Sequence, residues 1–100
     1  MIAYVVRIDF DDASVRDDML AWLRDRHLAD VLAAGALSAE LVVLDGALAL
    51  EVRYRFASRD SFAAYERDHA PRLRADGLAF LAGRPARFTR TTGELRSPRS

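Results

Sequence analysis

The chain has 100 residues, 51% hydrophobic and 30% charged, which is the composition of one folded domain rather than of a disordered chain. Fifteen basic residues balance fifteen acidic ones, and a net charge of zero argues against general nucleic-acid binding, which needs a surplus of positive charge. The absence of cysteine excludes a disulfide framework and thiolate metal sites. The sequence shows no basic leader and no apolar segment long enough to span a bilayer, so we expect a cytoplasmic protein.

The first predicted unit is a strand followed by a helix. Residues 2–10 alternate regularly, which predicts a strand whose even-numbered side chains are buried. Ser14, with Asp17 three residues later, predicts the N-cap of the helix. The apolar spacing of this helix slips by one residue at positions 25–27, so we expect a kink or an irregular turn there. Gly35 is predicted to end the helix.

A β-hairpin is predicted next. Apolar segments flank the dipeptide at 45–46, Asp-Gly, which is the strongest short-range signal for a tight hairpin. A two-residue loop predicts strands over residues 37–44 and 47–56. The same register places Glu40 opposite Glu51, and this like-charge pair needs a neutralising neighbour.

The second helix is predicted to begin at Ser58, a residue type that favours the N-cap position. Pro71 has no backbone N–H, so the helix should break or restart just after His69. Gly77 is expected to loosen the helix again, because glycine is a poor helix former.

The last predicted strand covers residues 86–92 and lies at a sheet edge, because Pro85 precedes it. The order strand, helix, strand, strand, helix, strand is the ferredoxin-like α+β arrangement, βαββαβ. Right-handed crossovers place strands 1 and 3 at the centre of a four-stranded antiparallel sheet, with both helices on one face. We therefore expect a single domain over residues 1–92 and a flexible C-terminal tail over residues 93–100.

Three segments carry a resemblance to a known family: MIAYVV at residues 1–6, H-x-x-D-V-L-A-x-G at 27–35 and H-A-P-x-L at 69–73. They resemble a bacterial family of short proteins, the domain-of-unknown-function family numbered four-two-eight-six, which is similar to the dimeric α/β-barrel superfamily. The sequence departs from the family pattern at Ala29, where the family usually has proline. The resemblance covers nearly the whole chain and implies the ferredoxin-like fold and a homodimer of the α/β-barrel type, but no activity.

Two histidines are candidates for chemistry, because imidazole titrates near neutral pH and can serve as a general base or a metal ligand. They can equally satisfy backbone carbonyls that the irregular helices leave free. Helix geometry separates His27 from His69 by roughly 13 Å, which is too far for one shared ion. No cysteine or third histidine completes a ligand set, so we predict no metal site.

A candidate ligand site is predicted at one end of the sheet. Strand 1 starts there, strand 3 ends there, and the end of helix 1 meets the start of helix 2, so Tyr4, His27, Tyr54 and Tyr65 should converge. Phenols and an imidazole on apolar walls are typical of a pocket lining. They also suit a buried polar network that binds no ligand. Trp22 is interpreted as core packing rather than as a cofactor contact.

The opposite face of the sheet carries charges of both signs. If Tyr4 pairs with Tyr54, Arg7 lies opposite Glu51 and neutralises it. A solvated, salt-bridged face is one interpretation. A dimer interface is the other, and the resemblance favours it.

Three functions remain open from the sequence. The favoured one is a small homodimeric protein that binds a small organic ligand without a cofactor. The alternative is a cofactor-free oxygenase- or isomerase-like enzyme, of the kind found in the superfamily that the chain resembles, with His27 as general base. The third is an interaction module that uses the sheet edges and the tail. Neither nucleic acid nor a membrane is expected as a partner.

Overall fold

The computed structural model describes residues 1–96. The elements in order are β1 (Ile2–Phe10), α1 (Ala13–Trp22), a π-helical turn (Leu23–His27), α2 (Leu28–Ala33), β2 (Ser38–Val43), β3 (Ala49–Phe56), α3 (Arg59–Asp68), α4 (Ala70–Leu81) and β4 (Ala86–Glu94). The strands form one antiparallel sheet in the order β2-β3-β1-β4. This order confirms the predicted ferredoxin-like α+β fold, with β1 and β3 at the centre.

In the central strand pair Tyr4 lies opposite Tyr54, and Arg7 lies opposite Glu51. Even-numbered side chains of β1 and β3 therefore share one face, and the helices bury that face. Its fully or nearly fully buried members are Ile2, Tyr4, Ile8, Phe10, Leu50, Val52, Tyr54 and Phe56. The expectation that Arg7 neutralises Glu51 is wrong, because Glu51 binds its strand neighbour Arg53 at 2.7 Å and Arg7 binds Asp9 at 3.1 Å.

The prediction of a two-residue hairpin loop is wrong. The Leu44 N–H donates to the Ala49 carbonyl at 3.2 Å, so residues 45–48 form the loop and Val43 pairs with Leu50. The Leu48 carbonyl accepts a hydrogen bond of 2.9 Å from the Phe10 N–H at the end of β1. This hydrogen bond holds Leu48 in the loop, although the local sequence predicts that Leu48 belongs to the strand.

The change of register moves every pair by two residues, which keeps each side chain on its predicted face because strands have a period of two. It does, however, remove the predicted like-charge pair. Glu40 now lies opposite Arg53, and Glu51 lies opposite Val42. The apposition of two glutamates therefore does not occur in this hairpin.

The first helical unit, formed by α1, the π-helical turn and α2, begins two residues earlier than predicted. Asp12, not Ser14, is the N-cap, and its carboxylate accepts a hydrogen bond of 2.7 Å from the Ser14 N–H. The predicted irregularity is confirmed as the π-helical turn, where the Leu28 N–H donates to the Leu23 carbonyl five residues back. The unit ends before Gly35, whose φ of +123° suits glycine better than any other residue.

The second helical unit begins as predicted, with Ser58 as N-cap in a capping box with Ser61. The break at His69 is also confirmed, since its φ of −128° is not helical and α4 restarts with Pro71 in its first turn. The expected loosening at Gly77 is wrong: α4 continues through it to Leu81. Packing by the neighbouring helix outweighs the weak helix propensity of glycine at this position.

The edge position of β4 is confirmed, but the strand ends at Glu94 rather than at residue 92. Beyond it, the Leu95 N–H donates to the Met1 carbonyl at 2.8 Å. The remainder of the predicted tail, residues 97–100, lies outside the described residues. Within residues 1–96, no helix has the length and apolarity needed to cross a bilayer.

Candidate functional site

A cavity of about 220 Å³ lies between the buried sheet face and the helices. Strands β1, β3 and β4 form its floor, and side chains of both helical units form its roof. Most of the lining is aliphatic or aromatic, as in the small-molecule pockets of other proteins. The polar members of the lining are Tyr4, His27, Tyr54, Tyr65, Arg74 and Arg90.

The structure brings all four predicted site residues into this lining: Tyr4, His27, Tyr54 and Tyr65. The Tyr4 ring lies 5.8 Å from the Tyr54 ring and 6.3 Å from the Tyr65 ring, measured between centroids. His69 is not part of the lining; its Nδ1 lies 3.4 Å from Arg72 Nη2 instead. The role of the four residues in binding a ligand stays a prediction.

The π-helical turn explains how His27 reaches the cavity. In an α-helix, successive side chains are about 100° apart, so residues five apart lie on different faces. In the wider π turn, the backbone hydrogen bond joins residues that are five apart. The side chains of two such residues therefore lie one above the other. The His27 ring accordingly stacks on Trp22, with centroids 4.9 Å apart and planes inclined by 23°.

The His27 imidazole is half-buried, and one of its two ring nitrogens lies in the protein interior. Its Nδ1 is buried and has no hydrogen-bond partner within residues 1–96, so this atom does not satisfy a freed backbone carbonyl. Burial lowers the pKa of His27, and the negative charges of Asp30 and Asp76 oppose that effect. The ring is therefore neutral at pH 7.

Two tyrosines of the lining, Tyr54 and Tyr65, are neutral hydrogen-bonding groups rather than bases. Burial, with a smaller contribution from the neighbouring Tyr4, raises the pKa of Tyr65 to about 12. Burial also raises the pKa of Tyr54, and the Tyr65 and Tyr4 phenols add to the effect. The Tyr54 and Tyr65 phenols consequently keep their protons at neutral pH, which leaves His27 as the candidate base.

Sequence reasoning missed Arg74. Its Nη2 donates to the Tyr4 hydroxyl at 3.2 Å and to Glu66 Oε2 at 2.7 Å. Its Nε is buried and has no hydrogen-bond partner within the described chain. Its spacing from Gly77 and Leu78 places the three residues on one side of the helix, but it does not tell which side faces the cavity.

Arg90 was missed as well. It lines the cavity from β4, and its guanidinium lies 5.1 Å from the centroid of the Phe88 ring. Alternation along the edge strand places Phe88 and Arg90 on the same face, so the predicted strand already contained this information. Among residues 1–96, no group of three or more His, Asp or Glu side chains is arranged to hold a metal ion.

A family model described as "Domain of unknown function (DUF4286)" matches residues 1–94. The chain belongs to this family. No curated protein matches this DUF4286 chain.

Solved structures share the fold of the DUF4286 chain. A dimeric ferredoxin-like protein from an uncultured marine organism has a TM-score of 0.77 and 11% identity, over 100% of this chain and 99% of that one. A monooxygenase from the gene ActVA-Orf6 of Streptomyces coelicolor, in complex with the ligand Nanaomycin D, has a TM-score of 0.67 and 15% identity, over 99% and 92%. Rv0793 from Mycobacterium tuberculosis has a TM-score of 0.63 and 21% identity, over 97% and 98%. At these identities the likeness shows the fold alone.

Proposed function

We propose that this DUF4286 protein binds a small organic ligand with a flat ring system in the cavity between sheet and helices. The observation that carries the proposal is a largely apolar cavity of about 220 Å³ in which two polar lining residues, His27 and Arg74, have buried atoms without partners. An apolar cavity of ~150 Å³ is large enough to bind benzene. The larger volume here suits a ligand of one or two fused rings, and the proposal includes no cofactor.

The proposed ligand-binding residues are Tyr4, His27, Tyr54 and Tyr65, together with Arg74. The aromatic rings supply stacking surface, because offset and edge contacts between rings are favourable beyond the area they bury. The tyrosine hydroxyls and the Arg74 guanidinium can exchange hydrogen bonds with a ligand in the cavity. His27 Nδ1 and Arg74 Nε are buried without partners, whereas a purely structural polar network would be expected to satisfy both atoms.

We also propose that the protein is a homodimer that pairs through the open face of the sheet. Two solved structures with this fold are dimeric ferredoxin-like proteins. On the open face, charges already pair within the chain: Arg7 with Asp9 at 3.1 Å and Arg53 with Glu51 at 2.7 Å. Because these four charges pair within the chain, a second copy can cover them without isolating any of them.

A second candidate function is cofactor-free catalysis with His27 as general base. A neutral imidazole in the lining of the cavity can accept a proton from an acidic C–H or O–H bond of the ligand. Asp30 and Asp76, whose charges act on His27, would stabilise the imidazolium that forms. A monooxygenase with a bound ligand shares the fold, and this also supports the candidate.

Isothermal titration calorimetry with 2-naphthalenemethanol, a neutral two-ring probe, tests the binding proposal. Val6→Phe places a ring in the cavity, whereas the matched control Val43→Phe alters a valine that is 48% exposed on β2. We expect submillimolar binding to the wild type and the control, and at least a tenfold loss in Val6→Phe. Equal binding to both variants, or no binding to the wild type, would overturn the proposal.

Proton exchange tests the catalytic candidate separately. The two-ring ketone 2-tetralone has acidic C–H bonds beside its carbonyl, and their exchange with deuterated water is followed by NMR. If His27 is the base, the protein accelerates this exchange, and His27→Gln reduces the acceleration by ~10²-fold or more. The same exchange rate in the wild type and in His27→Gln would exclude His27 as the base.

A further inference from the structure

We infer that the ligand carries one anionic oxygen group, a carboxylate or a phenolate on an aromatic ring system, and that Arg74 binds it. The inference rests on the proposed function, because it names the chemical class of ligand for the same cavity. It depends on how Arg74 is paired, on the charges around it and on the rings of the cavity wall.

Arg74 is paired incompletely. An arginine often binds a carboxylate through two N–H groups, yet Glu66 takes its hydrogen bond from Nη2, at 2.7 Å. Tyr4 accepts from the same nitrogen at 3.2 Å. The guanidinium itself lines the cavity, and its N–H groups can only donate. A ligand group that completes its pairing is therefore an acceptor, and an anionic oxygen is the strongest acceptor available.

The charges of the lining favour a single negative charge on the ligand. Arg74 and Arg90 contribute two positive charges at the cavity, and Glu66, in contact with Arg74, contributes one negative charge. Around Tyr65, on which these three charges act, the balance is one positive charge. Asp30 and Asp76 act on His27 instead, which directs an anionic group toward Arg74 rather than toward the imidazole.

The walls around this donor are aromatic. The Tyr4 ring stacks on Tyr54 with planes inclined by 24°, and Phe88 and Trp22 also face the cavity. Such walls favour a flat ring that stacks between them. An aromatic acid or an acidic phenol combines the flat ring with the anionic oxygen.

Calorimetry with 2-naphthoate and its neutral isostere 2-naphthamide tests the inference at pH 7. The two probes have the same shape and differ in charge. We expect the wild type to bind 2-naphthoate at least tenfold more tightly than 2-naphthamide. Arg74→Gln should abolish this preference. Glu66→Gln should increase it, because it removes the carboxylate that competes for Arg74, and this gain does not depend on the folding of the Arg74 variant.

The outcomes separate the inference from the proposed function. If 2-naphthamide binds as tightly as 2-naphthoate, the cavity still binds small molecules but the inference is wrong. A preference for 2-naphthoate that survives in Arg74→Gln, or that decreases in Glu66→Gln, also overturns it. If neither these probes nor 2-naphthalenemethanol bind, the proposed function fails and the inference fails with it.

Discussion

The imidazole of His27 stacks on the indole of Trp22, with ring centroids 4.9 Å apart. The indole also stacks on Phe80, whose ring centroid lies 5.2 Å away. Trp22 thus stands between the cavity and the outer surface of the helices, and the π-helical turn keeps His27 against it. The helix irregularity and the candidate base are therefore parts of one structural feature.

Gly77→Ala should stabilise the protein and weaken ligand binding. An added Cβ would lie 3.7 Å from the Trp22 ring, an ordinary contact distance, and alanine is favoured over glycine inside a helix by about 0.5–1 kcal/mol. Since ~1 kcal/mol shifts the melting temperature of a domain this size by about 4–8 °C, calorimetry should detect the gain. The methyl group also narrows the cavity, so 2-naphthalenemethanol should bind less tightly. The control Ala75→Gly, at an exposed position of α4, should lower the melting temperature and leave binding unchanged.

His27 should make the protein less stable in mild acid. Because burial lowers its pKa in the folded state below the usual 6.5, the unfolded chain binds the proton more readily. The free energy of unfolding should therefore fall as the pH decreases below about 6.5, until the folded protein is protonated as well. Urea unfolding at pH 7.5 and pH 5, followed by the fluorescence of the only tryptophan, measures the difference.

His27→Gln should show a smaller loss of stability between these two pH values. His69→Gln is the control, because this side chain lies outside the cavity. If the His69 variant removed the pH dependence and the His27 variant retained it, the assignment to His27 would be wrong.

The proposed homodimer should be sensitive to Val5 on the open face of the sheet. Val5 is half-buried and lies opposite Arg53 in β3, so Val5→Arg places a second positive charge there without disturbing the core. Light scattering at micromolar concentration should give a dimer for the wild type and a monomer for Val5→Arg. Ala75→Arg, on an exposed helix surface, should remain dimeric. A wild-type monomer would contradict the proposed interface.

Removal of residues 95–100 should change the melting temperature by no more than a few degrees. Within the described residues, the deletion removes one backbone hydrogen bond from β1, between the Leu95 N–H and the Met1 carbonyl. A typical hydrogen bond contributes about 0.5–1.5 kcal/mol net to stability, which is too little to change the melting temperature by more than a few degrees. A decrease of more than ~10 °C would show that this segment contacts the domain or a second subunit more extensively.

Most of the fold could be predicted because its signals are local. The alternation in β1, the N-cap at Ser58 and the proline after His69 each act within a few residues. The hairpin loop could not be predicted, because the bond between Phe10 and Leu48 joins residues that are distant in sequence. The continuation of α4 through Gly77 depends in the same way on packing against Trp22.

Part of the candidate site could also be predicted from the sequence, and part could not. Once the order of elements is known, the periodicity of β1 and β3 places Tyr4 and Tyr54 together. Arg74 was missed because a long charged side chain on a helix normally points to solvent, and only the structure shows its contact with Tyr4. The unpaired state of Arg74 Nε is likewise a property of the packed protein.

The most direct test of the cavity as a ligand site is intermolecular NOE spectroscopy with 2-naphthalenemethanol. Met19 and Val52 line the cavity and are almost fully buried, whereas Ala21 lies in a shallow groove on the other side of Trp22. We predict NOEs from the naphthyl protons to the methyl groups of Met19 and Val52, and none to Ala21. NOEs to Ala21 without any to Met19 or Val52 would place the ligand on the outer surface and contradict the central claim.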